Sequence, residues 1–253
     1  MRRKGILARG AFEPSSRKPE QLPWVLWALG ALLIYLIMPI GALSALGVSG
    51  DLESAQQGDL TLRSNGLILI GSAIAGTGLA IVLLASTVPK RPDLGFRLQR
   101  TDPLWGLAAT AAALPIILLV NITAAAVHQK LTGIEPDPLA HETLRLMSEG
   151  RGSFWWWVTV VGVVIAVPIA EELLYRGFLQ SSLVALTKSR WAAIGVTSIL
   201  FALAHQGAAD LRALPGLLVL SIALGIAFER KARIGVPIAM HAIFNLFNIL
   251  LSL

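Results

Sequence analysis

Cysteine is absent from the chain, so disulfide frameworks and thiolate metal sites are excluded and the redox compartment is unreadable. Charge is scarce as well. Only 14% of the 253 residues are Asp, Glu, Lys or Arg, where a soluble domain carries about a quarter. The deficit is concentrated in charge-free runs at 21–50, 64–89, 103–127 and 152–170. A helix needs about 20 residues to cross about 30 Å of hydrocarbon, and these runs meet or approach that length. Shorter apolar runs follow at 191–204, 213–228 and 234–253. Seven such segments in succession cannot share one aqueous core. They predict an all-α, polytopic transmembrane helical bundle of about seven (seven or eight) spans, one domain over 22–253 behind a basic tail at 1–21. No small-residue cleavage site follows a short apolar core, so the first span reads as an uncleaved helix. Internal repeats, low-complexity tracts and phosphate-cradling glycine loops are missing too.

A net charge of +6 raises the question of a nucleic-acid partner. Its distribution argues against one. With the N-terminus inside and seven alternating helices, fifteen Lys and Arg fall on one side. The other side receives five, Arg63, Lys130, Arg145, Arg151 and Arg212, together with eight acids. This is the positive-inside pattern. It predicts a multi-pass integral membrane protein, bacterial inner membrane by its compact and loop-poor form, with the N-terminus cytoplasmic. The basic loops then face the lipid bilayer, not nucleic acid. Trp24, Trp27, Trp105, Phe154 to Trp157 and Trp191 sit near span ends and read as interface anchors. Leu139 to Met147 reads as an amphipathic turn on the membrane surface. Gly71, Ala75, Gly76 and Gly78 offer small residues for close helix contacts.

Polar residues inside such spans are expensive: a central Asp, Lys or Arg costs roughly 2.5–3.5 kcal/mol. Glu171, Glu172, Arg176, His205, His241 and Asn245 all fall in the last four spans, whereas the first three carry Asn121 as a helix-contact or interfacial residue. The function is expected where that cost is concentrated, in 154–253. Glu172 and Arg176 are four apart, share a helix face and can form an ion pair. Glu171 points about 100° away and is the carboxylate freer to act as a base, with Tyr175 placed to donate to it. In an antiparallel hairpin turning at 188–190, the glutamates and His205 lie at similar depth, about 21–24 Å from the turn. His241 and Asn245 share a face, but at about 12 Å from Arg233 they are too shallow. Tilt, a broken helix or a deeper inner loop must absorb that mismatch. A carboxylate with a histidine can deprotonate water, and a second histidine with an amide can stabilise an oxyanion. Two histidines and a glutamate can also hold zinc, but His-Glu-x-x-His is absent, so spacing does not select the metal.

Glu171-Glu172-Leu173-Leu174-Tyr175-Arg176, Phe201-Ala202-Leu203-Ala204-His205 and His241-Ala242-Ile243-Phe244-Asn245 read E-E-x-x-x-R, F-x-x-x-H and H-x-x-x-N. Three motifs in this order on separate spans resemble the CAAX prenyl endopeptidase and bacteriocin-processing (Abi, CPBP) family of intramembrane proteases. The resemblance covers roughly residues 100–253. It implies that Glu171 acts with His205 to activate the attacking water. It implies that His241 and Asn245 stabilise the oxyanion, and that Glu172 and Arg176 hold the site together. It further implies a metal-independent mechanism without cofactor; zinc, if used, would sit on Glu171, His205 and His241. The substrate would be a membrane protein or a lipidated or hydrophobic peptide. The alternative is a non-catalytic immunity or scaffold protein, or a proton-coupled transporter, using the same cluster. Transporters often show interrupted helices in two related halves, whereas the polar residues here occupy one half.

Overall fold

The computed structural model describes residues 17–87, 94–133, 142–206 and 210–252. The basic positions in 1–16, Lys90, Arg91, Pro136, Pro138 and residues 139–141 of the amphipathic segment lie outside them. Among the described residues the regular elements are helical. They are α1 (Trp24–Ser49), a short α2 (Leu52–Gln56), α3 (Leu62–Thr87), α4 (Asp102–Thr132), α5 (Glu142–Glu149), α6 (Phe154–Thr187, including two π-helical stretches), α7 (Arg190–Ala204), α8 (Leu214–Lys231) and α9 (Gly235–Leu251).

Helices α1, α3, α4 and α6 are long and apolar enough to cross a membrane. The last three apolar helices are shorter, at 15, 18 and 17 residues. At 1.5 Å per residue these span only about 22–27 Å. The chain is thus a helical membrane bundle whose C-terminal spans are shorter than hydrocarbon thickness requires. In α6, 39% of the apolar window is buried, against 17–22% in the other three long helices. It packs against α1, α3, α7, α8 and α9, whereas α4 packs on α8 and α9.

Small residues set the closest approaches. A Cβ on Gly71 of α3 would meet the Ala45 Cβ at 2.8 Å, and one on Gly41 of α1 would overlap the Gly71 carbonyl. Backbones meet there because neither residue has a side chain. Gly76 is similarly filled by Met38, but Gly78 faces open space, so it is not a contact residue. Two of the aromatic anchors are also reassigned. Trp27 is buried and stacks on Phe178 at 4.8 Å, and Trp156 is buried among Met147 and Ile249. Both lie on inward faces of their helices, whereas Trp24, Trp105, Phe154 and Trp157 remain exposed.

The depth mismatch of His241 is resolved by a sunken connection. Between α8 and α9, Ala232 adopts a left-handed conformation, and Ala232, Ile234 and Gly235 are buried. The Ile234 amide donates to the Gly95 carbonyl at 2.6 Å. Helix α9 therefore starts inside the bundle, where its Gly235 packs against Asp102 at the start of α4.

Candidate active site

Helix α6 departs from α-geometry on both sides of the two glutamates. Gly162–Ala166 and Leu173–Gln180 are π-helical, with i→i+5 bonding. In the first stretch the Val167 amide donates to the Gly162 carbonyl. The next donor in that register would be residue 168, which is proline and has no N–H. The Val163 carbonyl is thereby left without an intrahelical donor, and Asn245 of α9 supplies one at 2.8 Å. The sequence Gly162 to Pro168 thus distorts its own helix and leaves a partly buried carbonyl for Asn245 to satisfy.

The two carboxylates, adjacent on the α-helical turn between these stretches, have different surroundings. Glu172 and Arg176 have fully buried side chains and pair through Nη1 at 3.2 Å and Nε at 3.1 Å. Arg176 also donates from Nη2 to the Ser221 hydroxyl and carbonyl of α8, at 2.8 and 3.1 Å, and its guanidinium lies over the Phe201 ring. The ion pair is thus held by hydrogen bonds on several sides, as a buried charge requires. Glu171 takes no part in that pairing. Its side chain retains 14% exposure and turns towards two imidazoles, His205 Nε2 at 4.0 Å and His241 Nε2 at 3.9 Å. Its Oε2 is buried without a hydrogen-bond partner among the described residues.

Hydrogen bonding fixes which imidazole nitrogens face Glu171. Helix α7 stops at Ala204, so His205 is its terminal cap, and the His205 Nδ1–H donates to the Phe201 carbonyl at 2.8 Å. A histidine satisfying a last-turn carbonyl is a common helix ending. His241 Nδ1–H donates to Glu172 at 2.9 Å. With Nδ1 donating in each ring, Nε2 is the nitrogen turned to Glu171, and in a neutral imidazole it is an acceptor. The Glu171 carboxylate and two imidazole Nε2 atoms therefore converge across gaps of 3.9–4.0 Å.

Glu171, His205, His241 and Asn245 line one cavity of about 1030 Å³. Most of its wall is apolar, including Met38, Leu69, Leu217 and Phe244. Tyr35, Leu43 and Ile122 line it and are also about half or more exposed on the outer faces of α1 and α4. The cavity thus communicates with the apolar flank of the bundle. Helix α5 is amphipathic as expected: Thr143, Leu146 and Met147 are buried, and Arg145 bridges Glu142 and Glu149 on the exposed face. Thr143 joins the cavity lining and donates to Asn65 at 3.2 Å. On the loop before α8, Arg212 holds the Asp210 carboxyl down to about 2 through two side-chain bonds and its amide.

All six residues singled out by sequence are therefore brought together. Tyr175 lines the same cavity but packs edge-on against Phe201 instead of donating to Glu171. Asn121 is a helix-contact residue, its amide seated on Gly216 of α8, and it reaches the cavity as well. Sequence reasoning missed Asn65, Ser221 and the part played by Phe201. The fully buried Phe201 ring touches Arg176, Tyr175, His205 and His241. Only its place in the F-x-x-x-H motif hinted at this; nothing local marks a serine such as Ser221.

The site is thus a partly buried Glu/His constellation inside a helical membrane bundle. Residues 153–247 match the family model described as Type II CAAX prenyl endopeptidase Rce1-like. The match bears out the resemblance seen in the motifs, all of which lie within it, and it is a match to a protease family. No curated protein and no solved structure matched the chain.

Proposed function

We propose that the chain is an intramembrane endopeptidase in which Glu171 and His205 activate a water held between them. The supporting observation is the gap itself. A water bonded at about 2.8 Å to each of two groups holds them roughly 4–4.5 Å apart, close to the 3.9–4.0 Å separations of Glu171 from the two Nε2 atoms. Zinc ligands at about 2.0–2.1 Å in a tetrahedron lie roughly 3.4 Å apart, so the same three residues would have to close in to bind the metal. The water proton passes to the Glu171 carboxylate as oxygen attacks the scissile carbonyl. The Asn245 amide, anchored by one bond to Val163, and His241 stand where the oxyanion forms. The apolar cavity, open to the lipid-facing flank, suits a hydrophobic or lipid-anchored peptide.

Glu171→Gln preserves size and removes the base, so turnover is expected to fall at least about 10²-fold with an unchanged melting temperature. Normal turnover would overturn the assignment. Prolonged chelation should leave wild-type turnover intact; loss that zinc restores would favour the metal reading. For orientation we propose the basic side, including the α6–α7 turn, as cytoplasmic. Single cysteines replacing Ser54 and Lys188 should label from outside and inside respectively, with no native thiol to interfere. Equal labelling of both from outside would refute this orientation.

A further inference from the structure

We propose that Glu172 is a positioning residue that sets the tautomer of His241, beyond its part in an ion pair. The kinetic half of this inference rests on the peptidase reading above; the spectroscopic half does not. The Glu172 side chain is fully buried, as is that of Arg176, so no bulk water competes for its oxygens. Arg176 approaches both carboxylate oxygens and holds the carboxylate in place. A carboxylate only accepts hydrogen bonds. The Glu172 Oε1 atom, 2.9 Å from His241 Nδ1, consequently keeps the proton on Nδ1. The opposite nitrogen, Nε2, is left with its lone pair turned to Glu171 at 3.9 Å.

This order has a chemical consequence. A neutral His241 cannot donate from Nε2 to an oxyanion; it must first receive a proton there. The only new proton in the site is that of the attacking water. Water yields it to Glu171 as the C–O bond forms, and Glu171 hands it across the gap to His241 Nε2. The resulting Nε2–H donates to the oxyanion and then passes the proton to the leaving nitrogen as the C–N bond breaks. The Nδ1–H bond to Glu172 persists throughout and steadies the transient imidazolium. With the other tautomer the relay is blocked, because Nε2 already carries a hydrogen. His205 is set the same way by a neutral carbonyl, that of Phe201, which stabilises a cationic ring less than a carboxylate does.

The test uses the full chain, ¹⁵N-labelled at histidine, with His241 assigned by the signals lost in His241→Asn. Wild type should show His241 as a single Nδ1–H form. In Glu172→Gln the charge that fixes it is gone, and the Nε2–H form, which an unconstrained imidazole favours, should appear. Turnover per folded molecule should fall, by up to the roughly 10⁴-fold seen when the orienting carboxylate of a Ser-His-Asp triad becomes an amide, with KM little changed. Glu172→Asp keeps the charge, guards against a variant that fails to fold, and should retain the Nδ1–H form and more turnover than Gln. A wild-type spectrum without a single Nδ1–H form overturns the proposal, and so does an unchanged spectrum in Glu172→Gln. Tautomer exchange with full turnover would also overturn it. If Glu171→Gln proves active while the His241 spectra behave as expected, the base assignment falls and the positioning role stands.

Discussion

Two glutamates, the partly buried Glu171 and the fully buried Glu229, have opposite surroundings, and the contrast separates a candidate reactive site from a structural one. Glu229, at the end of α8, receives Arg17 on one oxygen together with the Gln180 amide at 2.9 Å, and Arg190 on the other at 3.1 Å. Arg17 further donates to the Leu94 carbonyl and the Ser181 hydroxyl and lies over the Phe228 ring. Burial lowers the affinity of Arg17 for its proton, and Glu229 offsets this. This cluster ties the N-terminal segment to α6 and α8, and none of its residues lines the Glu171 cavity. Glu171, in contrast, faces about 1030 Å³ of open space and has two imidazole Nε2 atoms at 3.9–4.0 Å, beyond direct hydrogen bonding. Saturated charges stabilise; an unsaturated one beside a cavity is available for chemistry.

Neutralising the saturated carboxylate should have the largest effect on folding. Glu229→Gln leaves Arg17 and Arg190 without their shared counter-charge, and breaking such a buried pair typically costs about 3–5 kcal/mol. Thermal unfolding should show that loss, while turnover per folded molecule stays near wild type. A Glu229→Gln protein with wild-type stability would erase the distinction between the clusters. Glu171→Gln should show the mirror image, with turnover lost and stability kept.

Asn245 lies between these extremes and sharpens the comparison. Asn245→Ala removes the partner of the partly buried Val163 carbonyl, which should cost about 1 kcal/mol. If its amide also meets the oxyanion, turnover per folded molecule should drop about 10²–10³-fold in addition. Melting curves and initial rates on the same preparation separate the two contributions. Stability loss alone would confine Asn245 to supporting the π-helical turn of α6.

Much of the site was legible in the sequence because bilayer burial makes polar residues conspicuous. Glu171, Glu172, Arg176, His205, His241 and Asn245 stood out against runs with no charge. The i,i+4 spacing of Glu172 and Arg176 sufficed to expect their pairing, because helix geometry fixes that distance whatever the rest of the fold does. The inward faces of Trp27 and Trp156 were not legible, since proximity to a span end says nothing about which side of the helix meets the core. Nor was the Arg17–Glu229 bond, whose partners lie 212 positions apart in the chain.

Sequence alone thus determined a helical membrane bundle, the half that carries its polar residues, and which residue types are available for chemistry. These follow from local quantities: hydropathy, helix periodicity and the cost of burying charge. Tertiary structure decided the depth of His241, through a connection sunk into the bundle at Ala232 and Ile234. It also decided that Asn245 first serves the Val163 carbonyl, and that Glu172 faces His241 while Glu171 faces the cavity. Those outcomes depend on how α6, α7 and α9 pack around two π-helical turns. A hydrogen bond between helices is set by their relative placement, which no single helix encodes.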